Sequence, residues 1–198
     1  MIILYGGSFN PPTIAHYKIA NYLIEKYKPS VFIFIPVGNT YNKPELIPFE
    51  YRYQMVKILT NKFSQSIVSD YENQFNEFKG TVETLNYFQA LYPNDEIWYV
   101  IGADNLLTLH KWIDYQRLLK NYKFIVLKRD KINIKQIIHL NKYLKEFENN
   151  FIVEKELENM DISATLYRDK LIDSVVMNDI NSYIYKHKLY HRGGKDEK

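Results

Sequence analysis

Ile2-Ile3-Leu4-Tyr5 runs directly into Gly6-Gly7-Ser8-Phe9-Asn10-Pro11-Pro12-Thr13-Ile14-Ala15-His16, and this stretch decides how the chain is read. The short apolar, partly β-branched run predicts a buried strand. The glycine pair predicts a close turn, and the apolar spacing Ile19, Ala20, Leu23, Ile24 and Tyr27 predicts a helix beginning around Ala15. In a parallel sheet, ligands sit outside the carboxyl ends of the strands, where a helix N-terminus offers free N–H groups and a partial positive charge to an anion. Gly6, Gly7, Thr13 and His16 are therefore the first candidate site residues. On spacing alone an alternative stays open, in which the glycines only reverse the chain and His16 lies on the surface. The dinucleotide fingerprint Gly-x-Gly-x-x-Gly is missing after this strand, and so is the Walker pattern, which argues against a nicotinamide-cofactor dehydrogenase and a P-loop phosphotransferase.

Working outward, similar apolar runs recur at Val31–Ile35, Ser66–Ser69, Ile97–Ile101, Lys123–Leu127 and Phe151–Val153. Segments with helical periodicity separate them, including Met55, Val56 and Leu59, then Ile134, Ile137, Ile138 and Leu144. Continuously apolar strands between amphipathic helices need cover on both faces. The predicted fold class is therefore α/β, a Rossmann-like three-layer sandwich with a mainly parallel sheet. Leu166–Ile172 and Ile180–Leu189 predict a helical C-terminal piece packed back on the sheet. No linker divides the chain, so residues 1–191 are expected to form a single domain, and the polar, glycine-containing stretch 192–198 is expected to be a disordered tail.

Composition narrows the function. The 198 residues include 26 Lys plus Arg and 23 Asp plus Glu, a net charge of +3, too small an excess to point to nucleic acid. Cysteine is absent, which excludes thiol catalysis, Cys-ligated zinc and iron–sulfur clusters, and fits a cytoplasmic setting. The longest strongly apolar run, Val31–Pro36, is far short of the ~20 residues of a membrane span, so no membrane association is expected. His110, His139, His187 and His191 form no metal-ligand spacing with nearby carboxylates, so no protein-held metal is expected. The 18 Tyr and 11 Phe are spread evenly and read as packing residues, with Trp98 the better core candidate of the two tryptophans.

Gly6–His16 resembles the signature of the nucleotidyltransferase superfamily, Gly-Gly-Ser/Thr-Phe-Asp-Pro-x-His/Thr-x-Gly-His, and within it the bacterial-type nicotinate-nucleotide adenylyltransferases. Three further segments resemble that family in the same order. They are Pro36, Asn39 and Lys43 with Arg52 beyond, then Gly102-Ala103-Asp104 followed by Trp112, then Asp161-Ile162-Ser163-Ala164-Thr165-Leu166-Tyr167-Arg168. Gly80-Thr81-Val82-Glu83-Thr84-Leu85 also resembles the family's stretch at a helix start. Four departures stand out: Asn10 for Asp, Thr13 for the first His, Ala15 for Gly and Ala164 for Ser or Thr. Ala15 adds a methyl where the adenine is expected to approach.

The resemblance implies transfer of the adenylyl group of ATP to nicotinate mononucleotide, with Mg²⁺ accompanying the ATP. It implies catalytic roles for His16, Thr13 and Arg168. ATP contacts would come from Gly6, Gly7, Ser8, Phe9, His16, Lys43, Gly102, Asp104, Ser163, Thr165 and Arg168. Ser8, Thr81, Val82, Asp104 and Trp112 would hold the mononucleotide, with Trp112 stacked on the pyridine ring and the N–H groups at Thr81 and Val82 reading its acid group. By residue type alone, Asp104 reads equally as a helix N-cap or as an acceptor for ribose hydroxyls. The alternatives are a relative acting on nicotinamide mononucleotide or phosphopantetheine, or a nucleotide-binding domain without turnover. Homodimer formation is left open.

Overall fold

The computed structural model describes residues 1–128, 133–154, 164–170 and 172–190. Six strands form one sheet: β1 (Ile2–Gly7), β2 (Val31–Pro36), β3 (Ser66–Val68), β4 (Ile97–Gly102), β5 (Lys123–Leu127) and β6 (Phe151–Glu154). All pair in parallel, in the order β3-β2-β1-β4-β5-β6. The predicted fold class is therefore observed, with the sheet parallel throughout. Each predicted run forms a strand: the four inner runs carry four or five consecutive apolar residues, which can be satisfied only where both sheet faces are covered, and the shorter β3 and β6 form the edges.

Alternation along the strands builds two cores. Ile2 and Leu4 of β1 join Ile33 and Ile35 of β2 on one face, while Ile3 and Tyr5 join Phe32 and Phe34 on the other. The first face is covered by α3 (Thr81–Leu91), α4 (Tyr115–Asn121) and α5 (Ile134–Leu140), through Leu85, Phe88, Leu118, Leu119 and Ile138. The second is covered by α1 (Ile14–Tyr27), α2 (Phe49–Thr60), α6 (Ala164–Lys170) and α7 (Asn178–Lys186), through Leu23, Met55, Leu59, Tyr167 and Ile180. Fully burying one such aliphatic side chain contributes about 1.5–3 kcal/mol, so each helix is held by its apolar stripe. The C-terminal helices pack back on the sheet as the sequence suggests. Trp98 differs from expectation: it is half-buried, edge-on to Tyr27, with its indole N–H on Glu96. The expected tail at 192–198 lies outside the described residues.

The strand order places the site. From β1 the chain winds outward through β2 and β3, then returns to pair β4 with the other edge of β1. At that reversal the connections leave β1 and β4 toward opposite faces, which opens a crevice at their carboxyl ends.

Candidate active site

A cavity of about 660 Å³ occupies this crevice, within the range of small-molecule sites. Gly6, Gly7 and Ser8 from the end of β1 line it, as do Gly102 and Asp104 beyond β4. Gly6 has a steric reason. A Cβ there would fall 2.1 Å from the Tyr99 hydroxyl, so only glycine lets β4's buried tyrosine reach across the cavity floor.

His16 lies in the first turn of α1, and its ring lines the cavity between the rings of Phe9 and Tyr5. Its Nδ1 accepts the backbone N–H of Thr13 at 2.9 Å and lies 2.8 Å from the Thr13 hydroxyl. An amide nitrogen can only donate, so the neutral ring carries its proton on Nε2. Thr13 itself is fully buried and is not on the cavity wall, and its visible task is to hold the imidazole. Ala15, with its extra methyl, is also buried and away from the wall.

Behind the β1–α1 turn stands a layer that the sequence reading only partly reached. Arg52 of α2 is completely buried. Its Nε donates to the Ile47 carbonyl at 2.9 Å, and one terminal nitrogen donates to the carbonyls of Val37 and Ser8 at 2.7 and 3.2 Å. One guanidinium thus ties together the turn after β1, the end of β2 and the loop carrying Lys43. Burial lowers Arg52 to about 10, against partial support from Tyr190, Glu50 and Glu72. Asn10, buried as well, is a second hub. Its side-chain amide donates to the Glu45 carbonyl at 2.8 Å and its oxygen accepts the Tyr190 hydroxyl at 2.9 Å. The Asn10–Pro11 peptide is cis.

Arg168 of α6 joins this layer. It donates to the Asn10 carbonyl at 2.7 Å and to Thr165 at 3.2 Å, and faces Glu45 across 3.6 Å. Lys43 reaches the cavity, its ammonium 3.3 Å from the Ser8 hydroxyl. Burial, then the charges of Arg168 and Arg52, push the Lys43 ammonium below its ordinary range. An anion arriving here would relieve that repulsion.

The other end is aromatic. Trp112, Tyr41 and Phe78 line it, with Tyr41 and Phe78 in edge-to-face contact. Thr81 opens α3 at the same wall, after Gly80, whose φ of +86° suits only glycine in the tight entry to that helix. Val82, one residue on, is buried. Asp104 is not an N-cap: Gly102 takes that position, and Asp104 stands exposed in the short 3₁₀ turn Ala103–Leu107 on the cavity rim.

The structure thus brings Gly6, Gly7, Ser8, His16, Lys43, Thr81, Gly102, Asp104 and Trp112 to one cavity. It places Phe9, Thr13, Val82, Thr165 and Arg168 away from the wall, and Ser163 lies outside the described residues. The sequence reading missed Tyr99 and Glu72, which also line the cavity, and the hub role of Asn10. Two predicted strands bounding a glycine turn could have pointed to Tyr99, since it faces β1 across the sheet; Glu72 carries no such signal. Among the described residues no group of three or more His, Asp or Glu side chains converges as a metal site. No described helix is long and apolar enough to cross a membrane.

Residues 4–170 match the cytidylyltransferase-like family. A probable nicotinate-nucleotide adenylyltransferase of Acholeplasma laidlawii is 38% identical over 194 residues, covering 96% of this chain and 97% of the relative. A second of that name, from Clostridium acetobutylicum, is 34% identical, covering 94% and 97%. In fold, the chain matches the nicotinic acid mononucleotide adenylyltransferase of Plasmodium falciparum, solved with NaAD, with a TM-score of 0.77 at 21% identity and 96% coverage of each chain. With the segments at Gly6–Ser8, Lys43, Gly80–Thr81 and Gly102–Trp112 gathered around one crevice, and relatives of this name aligned over nearly its whole length, the chain belongs to the nicotinate-nucleotide adenylyltransferase family of cytidylyltransferase-like proteins.

Proposed function

We infer that the chain transfers the adenylyl group of ATP to nicotinate mononucleotide, forming nicotinate adenine dinucleotide and pyrophosphate in NAD biosynthesis. The observation that carries this reading is the convergence of a phosphate end, with Gly6–Ser8, His16 and Lys43, and an aromatic end, with Trp112 and the start of α3, in one cavity.

A phosphate oxygen of the mononucleotide attacks the α-phosphorus as the bond to the β-phosphate breaks, and pyrophosphate leaves. The nucleophile is already an anion, so no general base is needed, and positioning and charge neutralisation supply the rate. His16 donates from Nε2 to an α-phosphate oxygen, with the amides of the β1–α1 turn and the dipole of α1 behind it. Thr13 keeps the imidazole in that tautomer, a positioning role in place of direct contact. Lys43 neutralises the outer phosphates. Arg168 adds charge from behind the loop, and reaches phosphate only by exchanging Glu45 for it.

Asp104 accepts from ribose hydroxyls, Trp112 stacks on the pyridine ring, and the first N–H groups of α3 receive the ring carboxylate. Mg²⁺ enters on the ATP phosphates and shields them, as part of the substrate. The absence of cysteine suits the reducing cytoplasm as the place of this reaction. Chromatography of a reaction holding ATP, Mg²⁺ and nicotinate mononucleotide tests the proposal. The dinucleotide is expected, and unchanged substrates would refute it.

A further inference from the structure

The aromatic end of the cavity contains a carboxyl group that the mechanism above does not use. Glu72 belongs to a one-turn 3₁₀ helix, Tyr71–Asn73, after β3, and lines the cavity with Tyr41, Phe78, Gly80 and Thr81. Its Oε1 accepts the Thr84 hydroxyl at 2.9 Å, while Oε2 is buried with no hydrogen-bond partner. Thr84 is in the first turn of α3, so the carboxyl is held against the helix end that carries partial positive charge. An acid oxygen buried without a hydrogen-bond partner is costly to keep, more so ionised than neutral, although the positive helix end offsets part of that cost.

Resting on the function inferred above, the geometry points to Glu72 as a specificity-determining residue of the pyridine subsite: neutral, it admits the acid mononucleotide, and ionised, it repels that form and favours the amide. A ring carboxylate received at the first N–H groups of α3 would stand beside an ionised Glu72, as like charges at close range. A protonated Glu72 removes that repulsion and leaves the helix end to the ligand. The carboxamide carries no charge, and its amino group can donate to an ionised Glu72.

The groups facing Glu72 set when this happens. Arg52 of α2 favours its ionised form, as does the Thr84 hydroxyl, while Tyr99 of β4 and Tyr71 of its own turn feel its charge. Glu83 of α3 lies near Tyr71. Burial outweighs the favourable contacts and raises the Glu72 carboxyl to about 7. Its charge therefore changes within the working range of an enzyme.

The test is kcat/KM for nicotinate mononucleotide and for nicotinamide mononucleotide, at saturating ATP and Mg²⁺, from about pH 5.5 to 8.5. The substrate phosphate, which titrates near ~6 in both, cancels in the acid-to-amide ratio. That ratio is expected to fall about tenfold as pH rises through the Glu72 transition, the size of a like-charge contact in a partly solvated site. In Glu72→Gln it should stay level at the value the natural protein shows at low pH. In Thr84→Val, which removes a hydrogen bond to the ionised form, the fall should move to higher pH, and this second variant decides the matter if Glu72→Gln does not fold. A level ratio in the active natural protein, a fall that persists in Glu72→Gln, or an unmoved fall in Thr84→Val overturns the assignment. Turnover with neither mononucleotide overturns the inferred function, and this proposal with it; a level ratio with good turnover overturns this proposal alone.

Discussion

The two ends of the cavity are built on different physics. At the end read as the phosphate site, positive charge comes from Lys43 on the wall with Arg52 and Arg168 behind it, and hydrogen-bond donors come from backbone amides. At the aromatic end, read as the pyridine site, flat apolar faces surround a carboxyl that burial pushes up to about 7. The contrast matches what each end would do under the proposed function. A triphosphate needs steady neutralisation, whereas distinguishing two ring substituents that differ by one charge needs a site whose own charge is weighed against them.

The largest expected effect would break the phosphate end. His16→Ala should lower kcat about 10²–10³-fold with an unchanged thermal midpoint, because it removes a donor used mainly in the transition state. Turnover within a factor of two of the natural protein would take His16 out of the chemistry. Next comes the layer behind the wall. Arg52→Ala strands the carbonyls of Ile47, Val37 and Ser8, and urea unfolding should register a loss of about 3 kcal/mol or more. A loss under about 1 kcal/mol would mean that water replaces the guanidinium and that the loops are not held by it.

Glu72 sharpens the contrast through stability alone, without substrate. Its folded value of about 7 stands above its ordinary 4.5, so the folded state holds the proton more tightly. Its contribution is complete below the ordinary value and is lost as pH rises through the folded one. Glu72→Gln should therefore be more stable than the natural chain by about 2 kcal/mol near pH 8, with the gap closing toward pH 5. Equal unfolding curves at both pH values would show that the carboxyl is well solvated.

Most of the fold was legible because a parallel sheet buried on both faces demands uninterrupted apolar strands, and this chain has four such runs in the predicted places, with two shorter ones at the sheet edges. The carboxyl-edge location of the site was legible for the same reason, from Gly6 onward. Depth was not. Thr13 and Arg168 were read as catalytic, and Arg168 also as an ATP contact, yet Thr13 is fully buried under His16, and Arg168 is engaged by Asn10 and Glu45. Sequence spacing gives a residue's place along an element, while its layer depends on how distant loops close over it. Arg52 shows this best: as one arginine among many basic residues it gives no sign of burial, which follows only once three carbonyls from three segments meet around it.

Two smaller effects complete the comparison. Trp112→Ala should raise the KM for the mononucleotide about tenfold and that for ATP less than about twofold, as loss of one stacking surface would do. Equal changes in both constants would assign the tryptophan to packing, since it also touches the first core. Thr13→Val should cost about threefold in kcat, since the backbone N–H of residue 13 still holds Nδ1 of His16. A loss as large as that of His16→Ala would make the hydroxyl a direct participant.

The most direct measurement is pyrophosphate release from ATP and Mg²⁺ with nicotinate mononucleotide, nicotinamide mononucleotide and phosphopantetheine supplied in parallel at one pH. Release that is fastest with nicotinate mononucleotide is the predicted result. Release only with phosphopantetheine, or none with any acceptor, would contradict the account.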